Sequence, residues 1–341
     1  VKVNLSAKPL GKNKLPKKIL VMRFQALGDT IITLPYLQSL KTNYPGIILH
    51  LLTRYEVAQI PLALSIFEKV ITIGGGRNAK FQFLISILLL PKLWFNQYDA
   101  VLDLQNNRIS KILRVLLRPP YWSQFDKYSP ISAGERTRLT IEALGLSGIK
   151  IDTSFKVVCR IDIDSKLKKN GWDGTSELVL LNPAGNFNSR NWPIENYIKF
   201  AKYWGGDSHN QIQFVIMLLE KHQWKASLIK QELQDKCIDL SGKTSVLEAF
   251  LITGSARHVL TEDSGLMHMA WVQRIPTLAI FGSSRKDWSA PLGEWSVCLD
   301  ASDLSCGPCM KEHCIFGDNH CLTRYSAEFV FNESQKLLLK K

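Results

Sequence analysis

At 341 residues the chain is longer than one ordinary hydrophobic core organises, and about two domains are expected. Hydrophobic residues make up 45% and charged residues 21%, which excludes a disordered chain, and the lack of a Gly-x-y period excludes a collagen-like one. The 43 Lys and Arg against 30 Asp and Glu give a formal charge of +13, the balance of proteins that meet nucleic acid, anionic lipid or phosphorylated small molecules.

The stretch Val1 to Lys18 carries six lysines but leads into no apolar segment of the leader type. The longest apolar run, Phe81 to Phe95, is shorter than the roughly 20 residues a spanning helix needs, and Pro91 interrupts it. A cytoplasmic protein that does not span the membrane is expected. Lys18 to Arg23 reads as the first strand and Thr30 to Lys41 as a helix; Ile47 to Leu52, Val70 to Ile73 and Asp99 to Leu104 read as further strands. The polar segment Cys159 to Glu177 reads as a linker. A second series follows, with strands at Leu178 to Asn182, Gln213 to Leu219, His258 to Thr261 and Thr277 to Phe281. Helices alternate with them at Glu195 to Trp204, Lys225 to Gln234, Val246 to Thr253 and Gly265 to Gln273. Continuous apolar strands separated by helices predict parallel sheets covered on both faces, in two α/β domains, residues 1–160 and 161–341. Ligands of such sheets sit beyond the carboxyl ends of the strands, so a cleft between the two domains is the expected site.

Three stretches at strand ends carry the candidate chemistry. In Leu260 to His268 a strand gives way to a helix starting near Gly265. Free N–H groups and the positive end of the helix dipole there suit a phosphate, and His268 adds a donor; the rival reading has Asp263 or Ser264 merely capping the helix. In Asn182 to Pro193, Arg190 lies on a polar loop feeding a helix, where a guanidinium makes a diphosphate clamp or simply a surface cation. In Arg23 to Asp29 a single glycine excludes a dinucleotide fingerprint, and Asp29 is either a general base or a helix cap.

Leu27-Gly28-Asp29 with Thr33-Leu34-Pro35, Asn182-Pro183 with Arg190-Asn191-Trp192-Pro193, and Asp263-Ser264-Gly265-Leu266-Met267-His268 with Ile275-Pro276-Thr277 and Phe281-Gly282 resemble the ADP-heptose:lipopolysaccharide heptosyltransferases, glycosyltransferase family 9. The resemblance runs from about Lys18 to Phe329. It implies a GT-B fold of two Rossmann-like domains, the acceptor bound mainly by the first and the nucleotide sugar by the second, and an inverting transfer that needs no metal or other cofactor. By position it implies Asp29 as the catalytic base. It also implies Arg190, in place of a frequent lysine, at the donor phosphates, and Glu220 near the ribose. Ser241 and Gly242, with Lys243 and Thr244, match the loop near the base, and Asp263, Ser264, Gly265 and His268 match the phosphate and sugar motif. Gly185 and Asn186 depart from the hydroxyl residues of some members and are not assigned to the donor. The expected partners are a nucleotide-sugar donor and a lipid-linked or glycan acceptor. The basic N-terminus would favour anionic lipid at the inner membrane face, although Val1 to Leu15 reads first as a solvated tail.

Cys306, Cys309, Cys314 and Cys321 form a C-x2-C-x4-C-x6-C cluster with His313 and His320 inside it. The x2 spacing suits chelation, so one structural zinc or iron ion away from the catalytic cleft is expected, with free thiols as the rival. Two other function classes fit parts of the sequence. A basic nucleic-acid-binding protein with a cysteine-bound metal module fits the charge, but the basic residues are spread and no recognised motif appears, so no nucleic-acid partner is expected. A GT-B sugar-nucleotide epimerase would lack a separate acceptor.

Overall fold

The computed structural model describes residues 5–204, except 13, 77 and 186, and residues 211–340. The chain divides into two compact units, residues 1–160 and 161–341. No helix among the described residues is long and apolar enough to cross a membrane.

The first unit holds strands β1 (Ser6–Lys8), β2 (Lys18–Met22), β3 (Ile48–Arg54), β4 (Lys69–Ile73), β5 (Ala100–Asp103) and β6 (Tyr121–Gln124) in the order β1-β6-β5-β2-β3-β4. All pairings are parallel except β1 with β6. Ile19, Leu20, Val21 and Met22 are fully buried, because helices cover both faces of a parallel sheet. β1 lies in the stretch expected to be a solvated tail. It pairs its backbone with the edge of β6, which would otherwise leave a row of N–H and C=O groups open. The apolar run 81–95 forms two helices, Ala79–Leu88 and Leu90–Phe95, with Pro91 in the first turn of the second, where a missing N–H does no harm.

The second unit holds β7 (Glu177–Asn182), β8 (Ile212–Ile216), β9 (Cys237–Asp239), β10 (His258–Glu262), β11 (Thr277–Ile280) and β12 (Ser296–Leu299), all parallel, in the order β12-β11-β10-β7-β8-β9. Alternation along β7 builds two cores. Val179 and Leu181 pack with Trp192, Tyr197 and Phe200 on one face, while Leu178 and Leu180 pack with Leu167, Ile238 and Ile252 on the other. The expected linker 159–177 is therefore only partly one. Asp162 caps a helix, Ile163–Lys169, by accepting from the Ser165 N–H at 2.9 Å, and that helix buries Leu167 completely. The strand expected over Gln213 to Leu219 ends at Ile216, and Leu219 is exposed.

In both sheets the chain winds outward from a central pair, β2 with β5 and β7 with β10. Where the winding direction reverses, the loops leaving the two strands diverge and open a ligand crevice at their carboxyl ends.

Candidate functional site

At the β7/β10 switch point of the second unit, Ser264 caps the Gly265–Val272 helix, its hydroxyl accepting from the Met267 N–H at 3.4 Å. The Asn182 amide, at the end of β7, donates to both Thr261 Oγ1 and Ser264 Oγ at 2.7 Å, so the two strand ends are tied to the start of this helix. The capping expected as a rival to phosphate binding is present. It consumes the Met267 N–H and leaves the other first-turn N–H groups as the positive pole. His268 is buried and its Nδ1 accepts from the Trp271 indole N–H at 3.1 Å. In the neutral ring that places the proton on Nε2, which is then a donor.

Arg190 closes a short 3-10 turn, Asn188–Arg190. Its Nη1 lies 3.7 Å from Asp263, it stands over the Phe187 ring at 5.0 Å, and its Nε is buried with no hydrogen-bond partner among the described residues. A cation so held, with donor capacity to spare beside a helix N-terminus, is equipped for an anion. Asp263 is tied on its other side to the Ser289 hydroxyl at 3.4 Å. The structure thus brings Arg190, Asp263, Ser264, Gly265 and His268 to one strand-end region. Glu220 and the Ser241-Gly242 turn adjoin each other after β8 and β9. Gly242 has φ +70°, a conformation L side chains rarely adopt, and a Cβ there would meet Glu220 at 3.5 Å. Ser241 Oγ accepts from the Leu218 N–H at 3.3 Å, while Glu220 is exposed. Asn186 lies outside the described residues.

Sequence reasoning missed Glu262. It is fully buried at the end of β10, and its two carboxylate oxygens accept the N–H groups of Gly185 at 2.5 Å and Trp192 at 2.7 Å. Lys225, also buried, donates to Pro183 C=O at 2.9 Å and Asn191 Oδ1 at 2.5 Å. Together they grip the loop carrying Arg190 from beneath. Burial pushes the Glu262 carboxyl up to about 7, against the opposing pull of Lys225 and the two N–H groups, and burial pushes the Lys225 ammonium down. Gly185 fits because a Cβ there would collide with the Arg190 C=O. One signal was available: a glutamate closing a strand in a sheet buried on both faces has to be paired.

In the first unit Asp29 occupies the third position of the Leu27–Asn43 helix, next to the β2/β5 switch point. Its Oδ1 lies 2.8 Å from Arg23 Nη2, and its Oδ2 accepts from the Ala26 N–H at 3.0 Å. So Asp29 does act in helix capping, yet its side chain is 41% exposed and both oxygens keep lone pairs toward solvent. Arg23 is buried and also donates to Leu104 C=O, while Gln105 Oε1 accepts from the N–H groups of Phe24 at 2.7 Å and Gln25 at 3.1 Å. The carboxylate is therefore mounted on a fixed base.

Cys306, Cys309, Cys314 and Cys321 all line one cavity of about 250 Å³, together with Asp318 and His320. Burial and the three neighbouring thiols push the Cys321 thiol up to about 11. Among the described residues, no three His, Cys, Asp or Glu side chains converge closely enough to hold a metal ion. Nor is this segment remote from the Arg190 turn: Ser189 donates its N–H to Glu312 C=O at 3.3 Å and its hydroxyl to Lys311 C=O at 2.5 Å.

The sequence profile of glycosyltransferase family 9 (heptosyltransferase) matches residues 135–320, more than half of the chain. The chain belongs to this family. It is 29% identical over 171 residues to lipooligosaccharide heptosyltransferase 2 of Campylobacter jejuni, a stretch that covers 50% of the chain and 52% of that relative. The chain thus spans about half the length of this curated relative. Among solved structures, the family 9 glycosyl transferase of Veillonella parvula superposes with a TM-score of 0.78 at 19% identity, over 95% of this chain and 98% of that one. The E. coli heptosyltransferase WaaC with ADP superposes with a TM-score of 0.68 at 19% identity, over 94% and 99%. These likenesses establish the GT-B fold, with two Rossmann-like units, that the sequence motifs implied.

Proposed function

We propose that this family 9 protein is an inverting transferase that moves a heptose, or a related sugar, from an ADP-sugar to a lipopolysaccharide-core or other glycan acceptor. The observation that carries the reading is Arg190, held beside the Gly265–Val272 helix N-terminus with a buried Nε that has no hydrogen-bond partner among the described residues. ADP in the WaaC structure supports the choice of nucleotide. In this mechanism the diphosphate gains charge as the sugar–oxygen bond breaks. Arg190, the helix N–H groups and His268 Nε2–H stabilise that charge with dipoles already in place. Asp29 takes the proton of the acceptor hydroxyl during attack, and approach opposite the leaving group inverts the anomeric centre. Glu220 and the Ser241-Gly242 turn would hold the nucleoside. The enzyme would work from the cytoplasmic side, where a lipid-linked acceptor presents its sugars. Calorimetry of ADP binding, paired with a transfer assay, tests the reading: ADP binding weakened in Arg190→Ala supports it, and unchanged binding refutes the donor assignment.

For the four cysteines we infer one structural zinc or iron ion. The four cysteines line one cavity but do not converge in this structure, so an ion would have to draw their thiolates together; held by all four it would sit in a closed tetrahedral site with no open position for substrate. An ion there would pin a segment that abuts Ser189. Elemental analysis of protein purified without chelators should find one ion per chain. Metal-free protein with four freely titrating thiols would contradict the assignment.

A further inference from the structure

Three helices of the first unit, Ala79–Leu88, Leu90–Phe95 and Arg108–Leu117, pack on one another and over the β2–β5 side of the core, where Leu90, Leu93 and Leu113 are buried. Their outer surface is apolar. Phe81, Leu84 and Leu88, spaced three and four apart on one helix face, are 48%, 53% and 67% exposed. On the next two helices Trp94, Phe95 and Val115 are 51%, 89% and 61% exposed. The Trp94 indole N–H donates to Leu116 C=O at 3.2 Å, which fixes its ring at the end of the third helix. Large apolar side chains scattered singly over a surface are ordinary, but a group concentrated on adjoining helices marks an interaction site.

The charge pattern selects the partner. No aspartate or glutamate occurs in residues 79–95 or 108–117. The exposed charges there are Lys80, Lys92, Arg108 and Lys111, with Arg118 just beyond. We propose that this three-helix face docks the protein on an anionic lipid surface, the aromatic and aliphatic side chains entering the headgroup boundary and the cations pairing with lipid phosphates. Apolar groups interleaved with cations, without a single carboxylate, match a bilayer, which offers acyl chains and negative headgroups in one plane. A tryptophan with a fixed indole suits that boundary, where one end of the ring is wet. Helices of ten, six and ten residues are too short to span the bilayer, so the protein lies on it. A second copy of this chain is the poorer occupant, because a two-fold contact would set this all-cationic face against itself.

The proposal rests on the transferase reading only for its use, which is to bring the enzyme to a lipid-linked acceptor; docking itself needs no catalysis. The test is co-sedimentation of the full chain with vesicles of phosphatidylcholine alone and of phosphatidylcholine mixed with phosphatidylglycerol. Wild type should sediment with the mixed vesicles and not with the neutral ones, and salt should release it. Each basic residue near an anionic leaflet is worth about fivefold in partitioning, so Lys92→Glu with Lys111→Glu should lose at least about 25-fold. Leu88→Ser with Phe95→Ser should lose a comparable amount, with the melting temperature and transfer to a water-soluble acceptor unchanged. The proposal is overturned if wild type ignores the anionic vesicles, if both double variants bind like wild type, or if the face proves to join two copies in solution. Vesicle binding that responds as stated in a protein without transfer activity would refute the transferase reading and leave this one standing.

Discussion

The two strand-end regions are built on opposite plans. In the first unit Asp29 stands half in solvent, held by one guanidinium and one backbone N–H. In the second, Glu262 and Lys225 are buried among carbonyl and N–H partners, and the side chains proposed to meet the donor lie above them. A group that must exchange protons with a substrate needs access and spare lone pairs. A loop that must present a cation at a fixed place needs rigidity, and buried groups each tied to two loop partners supply it. The difference therefore separates the group proposed to react from groups proposed to hold.

The largest expected effect comes from removing the proposed base. Asp29→Asn should cut transfer by about 10²–10⁴ while ADP binding stays within a few-fold of wild type. Steady-state rates with saturating donor check this, and near-normal turnover would reduce Asp29 to the cap it also is. Next comes the holding side. Arg190→Ala and His268→Ala should each weaken ADP binding by roughly 10- to 100-fold, the worth of a charge-assisted hydrogen bond at about 1.5–3 kcal/mol, without loss of fold.

A smaller effect sharpens the contrast through pH. Glu262 binds its proton more tightly folded, at about 7, than its ordinary value of 4.5. The folded state thus carries more protons than the unfolded one between those values, and stability should fall as pH rises from about 4.5 to about 7, then level off. Glu262→Gln should flatten that slope in denaturant titrations. It should also cost roughly 1–3 kcal/mol, because an amide cannot accept both the Gly185 and Trp192 N–H groups. An unchanged slope would mean that another group sets the pH dependence.

The central strands were legible because burial on both faces demands continuous apolar runs, as in Ile19 to Met22 and Leu178 to Leu181. Of the edge strands, β4 was legible at Val70 to Ile73, but β1, β9 and β12 were not, nor was β6 beside β1: β6 carries Ser123 and Gln124, β12 begins with Ser296, and β1 and β9 have only three residues each, too short for a pattern. The Gln213 strand was read too long because Met217 and Leu218 remain buried after the ladder ends. At the candidate site, Asp29, Arg190 and the Asp263 to His268 run could be named because each lies where a strand gives way to a helix or turn. The Glu262 grip could not, since the N–H groups of Gly185 and Trp192 reach it only through tertiary folding across 77 and 70 residues. The Cys306 to Cys321 cluster was visible as spacing, but its contact with Ser189 was not.

The central claim is that the second unit holds the donor phosphates while Asp29 contributes only to the reaction. Isothermal calorimetry of ADP binding to wild type, Asp29→Asn and Arg190→Ala tests it most directly. The account predicts affinity within a few-fold of wild type for Asp29→Asn and at least about tenfold weaker for Arg190→Ala. Equal affinity for wild type and Arg190→Ala, or a large loss in Asp29→Asn, would contradict it.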